Sequence, residues 1–318
     1  MRSLLAQAGS RLANQSLKLE PDEFAVLITD TYIEPDVRET LLHELSSTGA
    51  NVRDVVVSFD EGNVAIELPD PDAVAGADAV LAAVSRSLTY NRHLAQVRAQ
   101  GGRVLSMPRI TRETLERFAQ SDVDAMLAVT RHVAAQVEEA KSTLELRSPT
   151  GTRLSLDISE SETSITDGVV QAGEVDQIPA GIVSVVGKRA RGEIVITGPV
   201  SVIDKLDAPI HLRIEDGVIV SIEGGASARQ LEDLLDGFDD REAARHCPAE
   251  VGIGTNPSVN VNLDGPFVPE YARATGMVHV GFGDDHLFPG GTVVAPIHGD
   301  FLLPDAVVWL DGTQLRID

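Results

Sequence analysis

Cysteine is almost missing from this chain: Cys247 is the only one in 318 residues. An intramolecular disulfide and a thiolate zinc cluster are thereby excluded, which suits a reducing, cytoplasmic setting, and a lone thiol is expected to serve as a small buried hydrophobe. Basic residues are scarce as well. Lys and Arg total 26 against 49 Asp and Glu, a formal charge of −23, and lysine is confined to Lys18, Lys141, Lys188 and Lys205. So negative a surface repels phosphate backbones and anionic headgroups, so neither nucleic acid nor a membrane is expected as a partner. No apolar run approaches the roughly 18 to 20 residues that span a bilayer, and the opening MRSLLAQAGSRLANQSLKLE is too interrupted for a secretion signal. A dinucleotide fingerprint is absent too. Phe24 to Ile28 is followed by TDTYIEPD, without GxGxxG, which argues against a nicotinamide or flavin site.

Apolar residues make up 43% of the chain, enough for more than one core, and two domains are expected. From Phe24 to about Met107 short apolar runs alternate with amphipathic segments: FAVLIT, PDVRETLLHELSSTG, NVRDVVVS, ADAVLAAVS, NRHLAQVRAQGG, RVLSM. That alternation predicts βαβ units and a parallel, Rossmann-like sheet, with Gly49 and the Gly101, Gly102 pair just past helix ends where a positive φ is useful. Helical spacing of Leu115, Phe118, Val123, Met126, Val133 and Val137 predicts an arm from Thr111 to about Lys141 that closes this domain. From Thr143 onward the texture is strand and turn. TLELRSPTGTRLSLDIS and IHLRIEDGVIVSIEGG read as hairpins turning near Gly151 and at Asp216, Gly217, with short helices at Ala226 to Leu235 and Glu270 to Arg273. The expected class is α/β, a Rossmann-like domain over 1–142 followed by a β-rich metal-binding domain over 143–318.

His43, His93 and His132 lie on predicted helices and His211 on a hairpin strand, scattered as surface histidines usually are. The other four crowd into one region. His246, His279, His286 and His298 accompany Glu250, Asp284, Asp285 and Asp300, a mixture of imidazole and carboxylate that suits a borderline divalent cation such as Zn, Co, Mn or Fe(II). His298 and Asp300 in IHGDF stand two apart on a predicted strand and so share a face. His279 in GMVHVGFGDD and Glu250 in PAEVGIGTNP occupy two further apolar strands, where a polar group without a partner is costly to bury. A shared cation satisfies all three strands. Glu174, in QAGEVDQIPAG, reads on its own as a solvated loop acid, and His286 as an exposed loop group beside the cluster.

Taken in order, GEVDQIPAG, RGEIVITG, LRIEDGVIVSIEGG, AEVGIGTNP, GMVHVGFGDD, FPGG, IHGDF and WLDG resemble the aminopeptidase T family of metallo-aminopeptidases over roughly Thr166 to Asp318. The resemblance implies a homodimer with two neighbouring divalent ions (Zn, Co or Mn) held by Glu174, Glu250, His279, His298 and Asp300, one of Glu250 and Asp300 bridging them. It implies an aminopeptidase-like hydrolase that turns a metal-activated water on a small peptide or amide, with Glu174 and His286 as catalytic groups. The family's catalytic tyrosine has no counterpart here: Tyr90 and Tyr271 do not match it, and His286 stands near its place. A related branch, similar to 2,5-dihydroxypyridine dioxygenase, implies instead a mononuclear non-haem Fe(II) held by His279, His298 and Asp300 that opens aromatic rings; that branch has histidine where this chain has Glu250. A site that only stabilises the β-rich domain is a third expectation.

Overall fold

The computed structural model describes residues 2–59, 68, 70–89, 91–264 and 267–317; Tyr90 lies outside the described residues. In chain order the elements are α1 (Leu4–Arg11), β1 (Phe24–Thr29), α2 (Pro35–Ser46), β2 (Asn51–Val56), β3 (Ala79–Ala83), α3 (Arg92–Ala99), β4 (Arg103–Ser106), α4 (Arg112–Gln120) and α5 (Val123–Glu139). Strands then dominate: β5 (Thr143–Arg147), β6 (Arg153–Asp157), β7 (Thr163–Thr166), β8 (Val175–Gln177), β9 (Ile182–Val185), β10 (Lys188–Ile196), β11 (Ile210–Glu215) and β12 (Val218–Glu223). The last part holds α6 (Ala226–Asp236), α7 (Arg241–Ala244), β13 (Glu250–Gly254), β14 (Val278–Gly283), β15 (His298–Leu303), β16 (Val307–Leu310) and β17 (Thr313–Gln314). This is a mixed α/β protein.

The first compact unit comprises 1–122 and 166–180. Its sheet runs β2-β1-β3-β4-β8 with every pairing parallel. β1 and β3 are sealed on both faces, as central parallel strands are, and this is why FAVLIT and AVLAA read as unbroken apolar runs. β2 alternates exposed and half-buried residues because it is an edge. Gly49 and Gly101 adopt the expected positive φ after α2 and α3, at 92° and 90°. Among the described residues no helix is long and apolar enough to cross a membrane.

The second unit comprises 123–165 and 181–318. A seven-stranded antiparallel sheet, β12-β11-β10-β6-β5-β16-β17, contains both anticipated hairpins, β5–β6 around Gly151 and β11–β12 around Asp216 and Gly217. A second sheet, β15-β14-β13-β9-β7, shares its core. Leu146, Leu154, Ile194 and Leu212 of the first meet Val251, Ile253, Val280, Phe282 and Phe301 of the second, with Val133 and Val137 of α5 in the same cluster. The expected boundary at 142/143 differs from this partition on two counts. Although α5 was expected to close the first domain, its apolar face packs into the second core, and 166–180 returns to the first unit because β8 completes the parallel sheet beside β4.

Candidate metal centre

Three adjacent strands of the second sheet build the site. Pairing places Asp300 on β15 opposite Gly281 on β14, and Gly281 in turn opposite Glu250 on β13, so two carboxylates flank a residue with no side chain. One step along, His298 pairs with Gly283, and His279 pairs with Gly252. Side chains alternate across a strand, so Glu250, His279, His298 and Asp300 share one face while Val251, Val280, Phe282 and Phe301 point into the core. Phe282 and Phe301 stack at 4.6 Å and 12° on that core side, giving the polar groups a stiff floor.

The glycines are what make room. A Cβ on Gly252 would lie 1.9 Å from His279 Cε1 and 2.4 Å from Nε2, so the imidazole lies directly across the neighbouring backbone. A Cβ on Gly281 would meet the Glu250 side chain at 2.9 Å and His298 Cε1 at 3.3 Å. EVGIG and HVGFG thus carry one candidate ligand each, Glu250 and His279, followed by glycines on the same face. Sequence inspection picked out the polar residues of these strands and overlooked this alternation, which is the local signal that a face is being kept open.

Glu250 Oε1 stands 3.5 Å from His279 Nε2 and 3.6 Å from His298 Nε2, and His298 Nε2 stands 3.5 Å from Asp300 Oδ1. These separations are long for hydrogen bonds, yet a cation bound at 2.0–2.2 Å in tetrahedral geometry holds its donor atoms about 3.4 Å apart. Two further observations agree. Asp300 Oδ1 is buried without a hydrogen-bond partner, and one donor atom each from Glu250, His298 and Asp300 falls within 4.8 Å of the others. A divalent cation fits this donor set, and Glu250, His298 and Asp300 are the residues best placed to hold it.

His298 Nδ1 donates to the backbone carbonyl of Asp284 at 2.6 Å. A carbonyl can only accept, so that nitrogen carries the hydrogen and Nε2 is the one turned to the site. The backbone of Asp300 is fixed by Ser201, whose Oγ accepts from Asp300 N at 2.8 Å, a contact sequence reading did not anticipate because Ser201 lies 99 residues away. His286 is exposed on the loop after β14; its Nδ1 lies 2.5 Å from Asp284 Oδ1. Glu174 is not among the groups the second unit gathers. It sits at a turn of the first unit, exposed, its carboxylate accepting from Gln171 N at 3.2 Å.

Charge follows from this packing. Burial alone would raise the Glu250 carboxyl, but the imidazoles of His279 and His298 outweigh it and hold the group well below the usual carboxylate range. Burial alone would likewise strip His298 of its proton, whereas Asp300 and Glu250 keep it and push the imidazole well above its ordinary value. A cation arriving at Nε2 must displace that proton. Because proton and cation compete, affinity should rise with pH through the neutral range, by up to about tenfold per unit, with about one proton released per ion. Calorimetric titration with Co(II) in buffers of different ionisation enthalpy measures the release directly; equal affinity at pH 6 and pH 8 would contradict it.

A family model described as NicX, 2,5-dihydroxypyridine 5,6-dioxygenase, matches residues 14–317. Among solved structures, the chain is similar to 2,5-dihydroxypyridine dioxygenase from Pseudomonas putida KT2440, with a TM-score of 0.76 and 19% identity over 100% of this chain and 98% of that one. It is also similar to wild-type AmpT from Thermus thermophilus, with a TM-score of 0.68 and 16% identity over 98% of this chain and 96% of that one. At such identities the likeness concerns the fold. No curated protein sequence matches the chain.

Proposed function

This chain belongs to the 2,5-dihydroxypyridine 5,6-dioxygenase family, and from that premise we propose that it is a mononuclear non-haem Fe(II) dioxygenase that opens hydroxylated aromatic rings of the hydroxypyridine kind. The observation that carries the reading is the extent of the family match, residues 14–317, with the converging donors inside it. The aminopeptidase-like hydrolase expected from the sequence stands behind this proposal, since its support is a more distant likeness of fold.

Glu250, His298 and Asp300 would hold the ion, with His279 beside Glu250 as the second imidazole. Fe(II) bound there would supply activation of O₂ and of a hydroxylated aromatic ring. The chain's own groups do the rest. Asp284 orients His298 through its carbonyl and holds His286 through its carboxylate, so one residue ties a ligand to an exposed imidazole suited to moving a substrate proton near neutral pH. The ring of Phe288 stacks on His298 at 5.9 Å and 29° and keeps water from that side of the ligand.

One observation favours a second reading. Glu250 makes the donor set richer in carboxylate than a two-histidine, one-carboxylate triad, as hydrolysis through a metal-activated water prefers. The deciding experiment is oxygen uptake by Fe(II)-loaded protein with 2,5-dihydroxypyridine, run beside amine release from aminoacyl anilides and dipeptides by Zn-, Co- and Mn-loaded protein. Uptake matched to substrate loss, with one iron per chain, supports the dioxygenase; amine release without uptake replaces it by the hydrolase.

A further inference from the structure

Asp285, in the loop between β14 and β15, and His246, between α7 and β13, form a second imidazole–carboxylate pair that the proposed chemistry does not use. Asp285 is 2% exposed, and its Oδ2 accepts from His246 Nε2 at 3.0 Å while its Oδ1 accepts from Val293 N at 2.6 Å. A buried carboxylate is costly unless hydrogen bonds repay the lost hydration. Here they close a loop. Asp285 N donates to Val293 O at 3.1 Å, Asp284 N to Ile297 O at 2.8 Å, Ala295 N to Asp284 Oδ2 at 3.0 Å, and Phe288 N to Asp285 O at 2.9 Å. The two aspartates therefore zip the base of an excursion whose tip carries His286 and Phe288, and the carbonyl between them is the one that orients His298.

His246 is a firm post for this arrangement. Its backbone carbonyl accepts from Gly283 N at 2.8 Å where β14 ends, and its neighbours are stitched to the β11–β12 hairpin by Ile219 N to Arg245 O at 2.9 Å and Cys247 N to Gly217 O at 2.8 Å. Gly283 leaves β14 at φ 87°, where a Cβ would lie 2.1 Å from Ile297 O, so the strand end, the loop base and His246 are drawn tightly together. The aim of His298 is thereby referred, through Asp284 and Asp285, to a residue on another element.

We propose that His246 and Asp285 are positioning residues for the metal centre: the pair clamps the 284–297 loop so that the Asp284 carbonyl fixes the angle of His298, which sets how tightly and in what geometry the cation is held. This rests on the reading that Glu250, His298 and Asp300 hold a divalent ion. Outer partners of metal-bound histidines set ring orientation, and losing one commonly costs about 10- to 100-fold in metal affinity.

The test uses Co(II) as the probe, binding followed by calorimetry and geometry by visible absorption, on the full chain and on His246→Leu, Asp285→Asn and His246→Gln. In His246→Leu and Asp285→Asn the Co(II) Kd should rise about 10- to 100-fold and the visible bands should shift, while His246→Gln, which still offers an N–H to Asp285, should return the Kd to within about threefold of the parent. A purely structural role would lower the melting temperature of the metal-free protein and leave the Kd and bands unchanged, and that outcome overturns the proposal. Should Asp285→Asn fail to fold, the contrast between His246→Leu and His246→Gln decides it alone. Absence of Co(II) binding by the parent protein overturns the metal reading, and this proposal with it.

Discussion

Replacing His298 with alanine should cost the protein both its metal and its turnover. The imidazole sits between two carboxylates, 3.6 Å from Glu250 and 3.5 Å from Asp300, so its loss removes a ligand and leaves two anions facing each other on one sheet. A catalytic ion lowers the barrier by several kcal/mol, and losing about 4 kcal/mol corresponds to about a 1,000-fold fall in kcat/KM. The metal-free variant should also unfold more easily, by about 3 kcal/mol, since breaking a buried ionic group strands its partners. Activity with hydroxypyridine, bound metal per chain and urea unfolding check the three parts separately. His211→Ala, at an exposed position of β11, is the control that should change none of them. A folded His298→Ala protein that keeps full activity would remove the centre from the mechanism.

Gly252→Ala is the second large effect, and it arises from a residue with no chemistry of its own. The added methyl would stand 1.9 Å from His279 Cε1, closer than any real contact, so either the imidazole swings away or β13 and β14 separate. Overpacking of this kind costs about 1–3 kcal/mol in stability. Turnover should suffer more, because displacing a group at a reacting centre by about 1 Å can cost about 100-fold. Thermal unfolding and kcat/KM measured on the same preparation separate the two, and wild-type kinetics in a folded variant would show that His279 tolerates another position.

The parallel sheet was legible because its central strands β1 and β3 are buried on both faces and α2 and α3 end at glycines that accept positive φ. The hairpins were legible because turn residues sit at Gly151 and at Asp216, Gly217. Of the site, Glu250, His279, His298 and Asp300 could be read, since polar groups in apolar strands demand an explanation. Their spacing could not. Convergence depends on which strands pair and in what register, and residues 29 or 48 positions apart carry no local mark of becoming neighbours. Ser201 and the role of Asp284 escaped for the same reason: each contact has a backbone atom at one end, the Asp300 N–H for Ser201 Oγ and the Asp284 carbonyl for His298, and such bonding between distant segments leaves no compositional trace. The assignment of α5 failed differently. Its amphipathic spacing announced a helix with one apolar face, while the core that receives that face is assembled from strands much later in the chain.

The path of the chain has a practical corollary. It passes between the two units three times, leaving the first after residue 122, re-entering it for 166–180 and leaving again. Cutting the gene at the apparent midpoint would strip the parallel sheet of its β8 edge and deprive the later half of α5, so neither product would inherit a whole core. The smallest inheritable piece of this protein is the entire chain, and recombination between relatives should succeed only where all three junctions are exchanged together.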